Sequence, residues 1–397
     1  MKRVYITTVL TCAVILAAFI GIFRLLNMSG RRESLKIGFI YDNDESTPYT
    51  YNFSLAKDAL EKKYGEKVEI LTCSNVLDDE MEEPLRDLAG QGCDIIFFNG
   101  YSELVMQLAP EYPNTQFCQT SYMDMNQTSV PENYHTFKGE AYQGRYVAGI
   151  AAGMKIKEMI SEGLISDDQA QVGFVAAFPT SEVISGYTAF ILGVRSVVPM
   201  AKMQVSYTQT WSSYAQEKSA AKKLIDNGCV IISQHTDTIG PAIACEEASA
   251  SGTVYFVGYN QSMSEVAPGT SLVTARICWE PYVLGAVDAL MSNKKIESVV
   301  RGNIHGSDVS AGFEQGWVEM IDLNQHSAAD GTQEAMDGAI EQFKKGNVDF
   351  VFKGDYKGVN PDDPSDVCDL HTAYIENDNT SYPLFHYILS DIITIVE

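Results

Sequence analysis

The sequence predicts an α/β protein made of two doubly wound, Rossmann-like lobes that are joined by a hinge of several chain crossings. Short apolar runs alternate with helical patterns from Leu35 onward, which is typical of βαβ units around a parallel sheet. The same order of elements then occurs a second time along the chain. The length of 397 residues also exceeds what one ordinary hydrophobic core serves, so two domains are expected.

The first unit contains four predicted strands, and each of the first three is followed by a helical pattern. Each strand is a short run of apolar or β-branched residues that ends in a turn or in polar residues. The strands are predicted at 36–42, 67–72, 92–98 and 116–120, and the helices at 54–64, 79–89 and 104–109.

The second unit repeats the first at a nearly constant distance. Residues 36–40 (KIGFI) match 171–175 (QVGFV), and 67–70 (KVEI) match 202–205 (KMQV), both at an offset of 135 residues. Residues 91–96 (QGCDII) match 227–232 (NGCVII) at an offset of 136. A strand at 254–257 then parallels the one at 116–120. Such regularity indicates two similar lobes.

The joints between the units also correspond. Small-residue helices are predicted at 140–154 and 280–291, and we expect chain crossings near 134–139 and 272–279, with a third near 306–313. Residues 35–135 with about 280–397 are assigned to the first lobe and 136–279 to the second, and 383–396 should dock on a lobe. The carboxyl ends of both sets of strands would face a hinged cleft, where a ligand should bind.

Composition argues against several classes of function. The net charge of −24 and the absence of a basic run beyond the N-terminus speak against a nucleic-acid partner. The sequence has no GxSxG, Walker, GxGxxG or HExxH motif, and its six histidines lack metal-ligand spacing. Ser233, His235 and Asp237 alternate along one strand, which does not produce a catalytic triad. We therefore expect no catalytic residue, metal or cofactor.

The first 34 residues read as a membrane anchor or signal segment. Lys2 and Arg3 precede about 20 mostly apolar residues, enough to cross a bilayer with the remainder outside the cytoplasm. An uncleaved anchor is favoured; a cleaved signal peptide is the alternative, although its cut site would be poor. Cys12 lies inside the apolar run, which disfavours lipidation. Seven further cysteines, an odd number, are interpreted as mainly small buried hydrophobes.

Candidate binding residues lie at the predicted strand ends. The clearest case is 228–241, where a buried strand turns polar at Gln234 and continues into a helix at Pro241. Aromatic rings suit flat heterocycles, and Asp, His and Asn recognise their edge nitrogens or sugar hydroxyls. The set of candidates is Asp42, Tyr51, Asn52, Tyr101, Ser121, Phe178, Trp211, His235, Asp237, Asn260 and Trp279.

Four motifs occur in order along the chain: 144–149 (GRYVAG), 176–187 (AAFPTSEVISGY), 217–228 (EKSAAKKLIDNG) and 234–237 (QHTD). Together they resemble the basic membrane protein (PnrA-like) family of substrate-binding components of ABC importers, and the resemblance extends from about Lys36 to Trp317. It implies the type I periplasmic-binding fold, a purine base or nucleoside as ligand and a membrane permease as partner. The His-Thr-Asp motif resembles the branch that takes adenine or a related compound.

The resemblance also implies roles for individual residues. Asp42 would accept hydrogen bonds from a base, and Tyr51, nine residues on and followed by Asn52, would stack on it. Trp211, His235, Asp237 and Trp279 stand as in the adenine-type branch. Ser121 and Asn260 replace aspartates typical of the family, which weakens the expectation of ribose recognition.

The sequence therefore predicts an extracytoplasmic, monomeric substrate-binding protein that closes on a small heterocycle and delivers it to an ABC permease. Two alternatives remain: a membrane-tethered sensor, or a binder of another polar solute such as a sugar or an amino acid.

Overall fold

The structure is a computed structural model that describes residues 32–121, 130–251 and 253–396. The strands of the first sheet are β1 (Leu35–Ile40), β2 (Val68–Cys73), β3 (Ile95–Phe98), β4 (Gln116–Thr120), β5 (Tyr134–Gly139), β11 (Asn303–His305) and β12 (Asp308–Ala311). Those of the second are β6 (Gln171–Ala176), β7 (Lys202–Tyr207), β8 (Ile231–His235), β9 (Tyr255–Tyr259), β10 (Ser271–Ile277), β13 (Val318–Ile321) and β16 (Ile393–Val396). A hairpin of β14 (Lys357–Val359) and β15 (Val367–Asp369) lies outside both.

The helices of the described residues alternate with these strands. They are α1 (Pro48–Tyr64), α2 (Glu82–Gly90), α3 (Glu103–Leu108), α4 (Ala141–Ser161), α5 (Ser181–Val197), α6 (Tyr214–Asp226), α7 (Gly240–Ala248), α8 (Glu280–Met291) and α9 (Thr332–Lys344).

The two sheets have the same internal order. The first reads β2-β1-β3-β4-β5-β12-β11 and the second β16-β7-β6-β8-β9-β10-β13. Every neighbouring pair among β1–β5, and every one among β6–β10, is parallel, while β11 and β13 pair antiparallel with their neighbours. Central strands such as β3 are buried along their whole length, as expected of sheets covered on both faces. The prediction of two doubly wound lobes is confirmed.

Three crossings connect the lobes. After β5 the chain enters α4, which packs on α5 and β10 of the second lobe. After β10 it returns through α8, which packs on α1 of the first lobe. It crosses again between β12 and β13, which lie in different sheets.

The prediction that about 280–397 belongs to the first lobe needs correction after the third crossing. β13 pairs with β10, from Ile277 against Val318 to Thr274 against Ile321, and β16 pairs with β7 at the edge of the second sheet. Strands of four residues give no indication of which sheet they join, so the sequence carried no usable signal for the partners of β13 and β16.

Small residues allow α4 and α5 to pack at very short range, as the sequence predicted for α4. A Cβ atom on Gly149 would lie 2.1 Å from the backbone oxygen of Phe190, and one on Gly193 would lie 2.1 Å from that of Tyr146. Each helix therefore needs glycine where the other approaches it.

Two boundaries differ from prediction in ways that affect the site. Helix α1 begins at Pro48, six residues earlier than expected, because the Thr47 side chain caps it by accepting from the Thr50 amide and proline suits the first turn. Strand β8 begins at Ile231 and extends through His235, so the histidine belongs to the strand itself.

The predicted anchor at 4–23 lies outside the described residues. Within the ranges that the structure does describe, no helix is both long and apolar enough to cross a membrane. The seven cysteines after Cys12 all have free thiols, and five of them are buried.

Candidate functional site

A cavity of about 360 Å³ lies where the carboxyl ends of the strands of both lobes face one another. This is the position at which open α/β sheets bind ligands. Its lining from the first lobe is Asp42, Asn43, Tyr49, Val76, Leu77, Asn99, Gly100, Tyr101, Thr120, Ser121 and Lys138, and from the second lobe Glu182, Trp211, His235, Asp237 and Tyr259.

On the first lobe, Asp42 is held rigidly beyond the end of β1. Its Oδ1 accepts from the Asn99 amide group at 2.9 Å and from the Thr50 hydroxyl at 3.2 Å, and its own backbone N–H donates to Asn99 Oδ1 at 2.9 Å. Among the described residues, Oδ2 has no hydrogen-bond donor. One carboxylate oxygen is thus anchored by the protein and the other is available to a ligand.

Tyr49 forms an aromatic part of the same wall. Its hydroxyl donates to the Asn99 carbonyl at 2.7 Å, and its ring meets Trp279 edge to face at 5.9 Å. Trp279 is only 1% exposed and packs among Phe53 and Phe137. The tryptophan therefore supports the tyrosine from the core.

The second lobe contributes a chain of aromatic rings. Trp211 packs on Phe178 at 5.4 Å and approaches His235 at 6.2 Å, and His235 meets Tyr259 at 4.9 Å. The Arg145 guanidinium lies 3.5 Å from the Tyr259 ring centroid, a cation–π distance. Trp211 is 37% exposed, an unusual state for a large apolar ring, and it borders the cavity.

An ion pair joins the lobes inside the cavity. Lys138, near the end of β5, donates to Glu182 Oε2 at 2.9 Å, and Glu182 lies in the first turn of α5. The other carboxylate oxygen, Oε1, is 4.0 Å from His235 Nε2. Lys138 also donates to the Ser121 carbonyl at 3.3 Å. Glu182 thus contacts a cation from the opposite lobe and faces the histidine of its own lobe.

Burial changes the proton affinities of this cluster. Burial, aided by the positive charges of Arg145 and Lys138, lowers the pKa of His235 well below its usual value, so the imidazole is neutral at pH 7. Burial and the carboxylates of Asp42, Glu217 and Glu182 raise the pKa of Asp237 well above its usual range, although Arg145 opposes this. Burial lowers the pKa of Arg145 to about 10, which keeps it charged.

Six of the eleven predicted residues line the cavity: Asp42, Tyr101, Ser121, Trp211, His235 and Asp237. The remaining five lie elsewhere. Phe178 and Trp279 stand behind cavity residues, as described above, and Tyr51, Asn52 and Asn260 are treated next.

Asn52 and Asn260 hold the second crossing together. The Asn52 amide donates to the Ile277 carbonyl at 2.5 Å and approaches Asn260 Oδ1 at 3.5 Å. Both asparagines are about 1% exposed and do not border the cavity. They connect α1 of the first lobe to the ends of β9 and β10.

Tyr51 points away from the cavity, and Tyr49 takes the place expected for it. Tyr51 is 40% exposed. Because α1 begins at Pro48, both tyrosines lie in the helix. Side chains two positions apart on a helix point in very different directions, so only one of the two can face the cavity. Lys138 was also missed, because residues 134–139 were predicted only as a chain crossing, which gave no sign that the lysine amine reaches the cleft.

The arrangement is suited to binding a small molecule. In the part of the chain that the structure describes, no three His, Cys, Asp or Glu side chains are placed to hold a metal ion. Aromatic rings from both lobes border the cavity, and polar groups with fixed orientations lie between them. Such a site recognises a flat polar molecule by its faces and edges.

Fold and site together define a two-lobed solute-binding protein whose ligand cleft lies at the hinge. The family model described as "ABC transporter substrate-binding protein PnrA-like" matches residues 37–346. The chain therefore belongs to the PnrA-like family of ABC transporter substrate-binding proteins.

Two curated relatives share substantial sequence. A purine-binding protein of Brucella abortus is 29% identical over 303 residues, which cover 75% of this chain and 78% of that protein. A Haloferax volcanii protein named as an ABC transporter glucose-binding protein is 30% identical over 270 residues, which cover 67% of this chain and 61% of that protein.

Solved structures agree on the fold. An ABC transporter solute-binding protein from Conexibacter woesei superposes with a TM-score of 0.61 at 16% identity, covering 79% of this chain and 98% of that one. Another, from Aeropyrum pernix, has a TM-score of 0.60 at 17% identity and covers 78% and 86%.

Proposed function

We propose that this protein binds a purine base or nucleoside, with an adenine-like ligand favoured, in the interlobe cavity and delivers it to an ABC permease. It acts outside the cytoplasm as a monomer and carries out no catalysis. Its N-terminal apolar segment holds it at the membrane, unless that segment is cleaved as a signal peptide.

The observation that carries this proposal is the combination of an aromatic wall and a free carboxylate oxygen. Trp211, His235 and Tyr259 offer ring faces and edges on the second lobe. Asp42 Oδ2, on the first lobe, is an acceptor for the N–H groups at the edge of a heterocycle. The relationship to the Brucella purine-binding protein supports the same ligand class.

A free base is favoured over a nucleoside by the two replaced aspartates. The Ser121 hydroxyl is 2.6 Å from that of Ser381, and Asn260 is enclosed by Asn52 and Ile277. Neither position offers a free carboxylate to ribose hydroxyls. The rival solute is a sugar, a class suggested by the name of the Haloferax relative.

The test is a thermal-shift and calorimetric comparison of residues 34–397 with adenine, adenosine, guanine, glucose and an amino-acid mixture. A ligand present at 100 times its Kd should stabilise the fold by about 2.7 kcal/mol. We expect adenine to give the largest shift and Trp211→Ala to reduce its affinity more than tenfold.

Tyr51→Ala is the matched control, because Tyr51 is an exposed aromatic residue outside the cavity, and this variant should bind like the wild type. Trp317→Phe would not serve as a control, because Trp317 is buried in the core. A shift with glucose alone would overturn the purine proposal in favour of the sugar reading. If the protein is instead a membrane-tethered sensor, it should bind adenine, but deleting its gene should leave the uptake of adenine by cells unchanged.

A further inference from the structure

Residues 376–386, which follow the part of the chain matched by the family model, lie across the hinge. The hydrophobic residues before and after them, such as Phe352 and Leu389, pack in the core of the second lobe. Between those anchors the segment reaches the first lobe and returns. We call residues 376–386 the brace.

The brace is bound to the first lobe at Thr380 and Ser381. Asp308, on β12, accepts from the Ser381 backbone N–H at 2.7 Å and from the Thr380 hydroxyl at 3.2 Å. The Ser381 hydroxyl is 2.6 Å from that of Ser121, a cavity residue. All of these contacts are buried or partly buried.

Two residues later the brace is bound to the second lobe. The Ser181 hydroxyl, at the start of α5, donates to the Pro383 carbonyl at 2.8 Å. The buried carboxylate of Glu376 accepts from the Ser185 hydroxyl and from the Leu384 backbone N–H, both at 2.6 Å. Three successive residues, 381–383, therefore span from one lobe to the other.

The middle of the brace touches the ion pair in the cavity. Lys138 Nζ lies 5.3 Å from the centre of the Tyr382 ring, within cation–π range, and 2.9 Å from Glu182. Tyr382 is 2% exposed. The lysine is thus enclosed by the first lobe, the second lobe and the brace.

We propose that the brace favours the closed arrangement of the lobes and fixes the Lys138 amine at the back of the ligand cavity. Opening the cleft rotates the lobes apart, and a connection only three residues long cannot keep both sets of contacts during that rotation. A contact made only in the closed arrangement raises the closed population and, with it, the affinity for a ligand that binds that arrangement.

The test uses residues 34–397 with Ser381→Ala and Tyr382→Leu, alone and together. Without ligand, small-angle scattering of the double variant should give a larger radius of gyration than the wild type. With adenine as the probe, each single variant should lose about fivefold in affinity, the effect of one hydrogen bond or one cation–π contact.

Two controls separate this role from general loss of structure. Tyr382→Phe retains the ring beside the Lys138 amine and should therefore keep more of the wild-type affinity than Tyr382→Leu does. Ser365→Ala makes the same chemical change in an exposed turn, where the Ser365 hydroxyl donates to Asp363 and, within the described ranges, to no other residue. Should Tyr382→Leu fail to fold, Ser381→Ala still tests the proposal.

Unchanged dimensions and affinity in Ser381→Ala would overturn the proposal, as would an equal effect of Ser365→Ala. The scattering measurement needs no ligand, so it stands even if the purine proposal fails. If the wild type does not bind adenine but the double variant has the larger radius of gyration, the proposed ligand is overturned and the proposed role of the brace is supported.

Discussion

Glu182 is the residue at which the two lobes and the ligand cavity meet. It receives Lys138 from the first lobe and faces His235 in the second. Both members of the ion pair are mostly buried, with side-chain exposures of 8% for Lys138 and 16% for Glu182. Removing one partner of such a pair leaves the other charge enclosed without compensation.

We predict that Glu182→Gln destabilises the protein by about 3 kcal/mol, since breaking a buried pair costs more than replacing it. The double variant Glu182→Gln with Lys138→Met should recover part of that loss. Urea unfolding of the wild type, both single variants and the double variant measures the coupling. Additive losses would contradict an interlobe ion pair.

His235 should give the fold a measurable pH dependence. Its pKa is lowered in the folded protein, whereas the unfolded chain has the ordinary value near 6.5, so the unfolded state gains a proton first as pH falls. Stability from this residue is complete above pH 6.5 and is lost below it, by about 1.4 kcal/mol at pH 5.5.

The measurement is urea unfolding of the wild type and His235→Gln at pH 7.5, 6.5 and 5.5. The buried carboxylates of Glu140 and Glu376, whose pKa values are raised by burial, remain in both proteins and largely cancel in the difference. Parallel curves over this range would contradict the lowered pKa, because they would mean that His235 takes up a proton as readily in the folded state as in the unfolded chain.

At the scale of residues, the sequence identified strand ends well and side-chain directions poorly. Asp42, Trp211, His235 and Asp237 could be predicted because each follows or ends a buried strand. Tyr49 was missed because the N-terminal cap of α1 lies earlier than its apolar pattern suggests. Trp279 was placed at the site because a tryptophan at a crossing could face either the cleft or the core, and it faces the core.

The packing of α4 against α5 leaves no room for a side chain at Gly149. Gly149→Ala would bring a methyl group to 2.1 Å from the Phe190 carbonyl oxygen, so the helices must separate. We predict a loss of about 2 kcal/mol in the free energy of unfolding, typical of overpacking.

Gly338→Ala in α9 is the matched control for that prediction. Among the residues that the structure describes, no atom outside its own helix lies within 4 Å of a Cβ built there. Alanine should therefore stabilise the protein by about 0.5–1 kcal/mol through its higher helix propensity. Urea unfolding of both variants provides the comparison. Equal effects would contradict the close approach of α4 and α5.

The elements themselves were largely predictable, since periodicity reports local structure. Strand β4 and helix α8 have the predicted bounds, and the offset between the repeats anticipated the common strand order. β13 and β16 were assigned to the wrong lobe because sheet partners are chosen by tertiary contacts that four residues do not encode. Residues 376–382 belong to no predicted element, so their position across the hinge had no local signal.

For the whole molecule, the free thiols predict insensitivity to reducing agents. Burial raises the pKa of Cys93 to about 11 and that of Cys229 to about 12, which keeps both thiols protonated and unreactive at neutral pH. After denaturation, residues 34–397 should react with seven equivalents of a thiol reagent. Dithiothreitol should leave the Tm of the folded protein unchanged. Fewer thiols, or a lower Tm on reduction, would reveal a disulfide.

The pairing of β16 with β7 has a consequence for the order in which the protein is made. Residues 393–396 supply the edge strand next to 203–206, so almost two hundred residues of chain must be synthesised before that edge is covered. An uncovered strand edge is a site for unwanted pairing between chains. The edge of the second sheet at β7 therefore stays open to unwanted pairing until residues 393–396 have been synthesised.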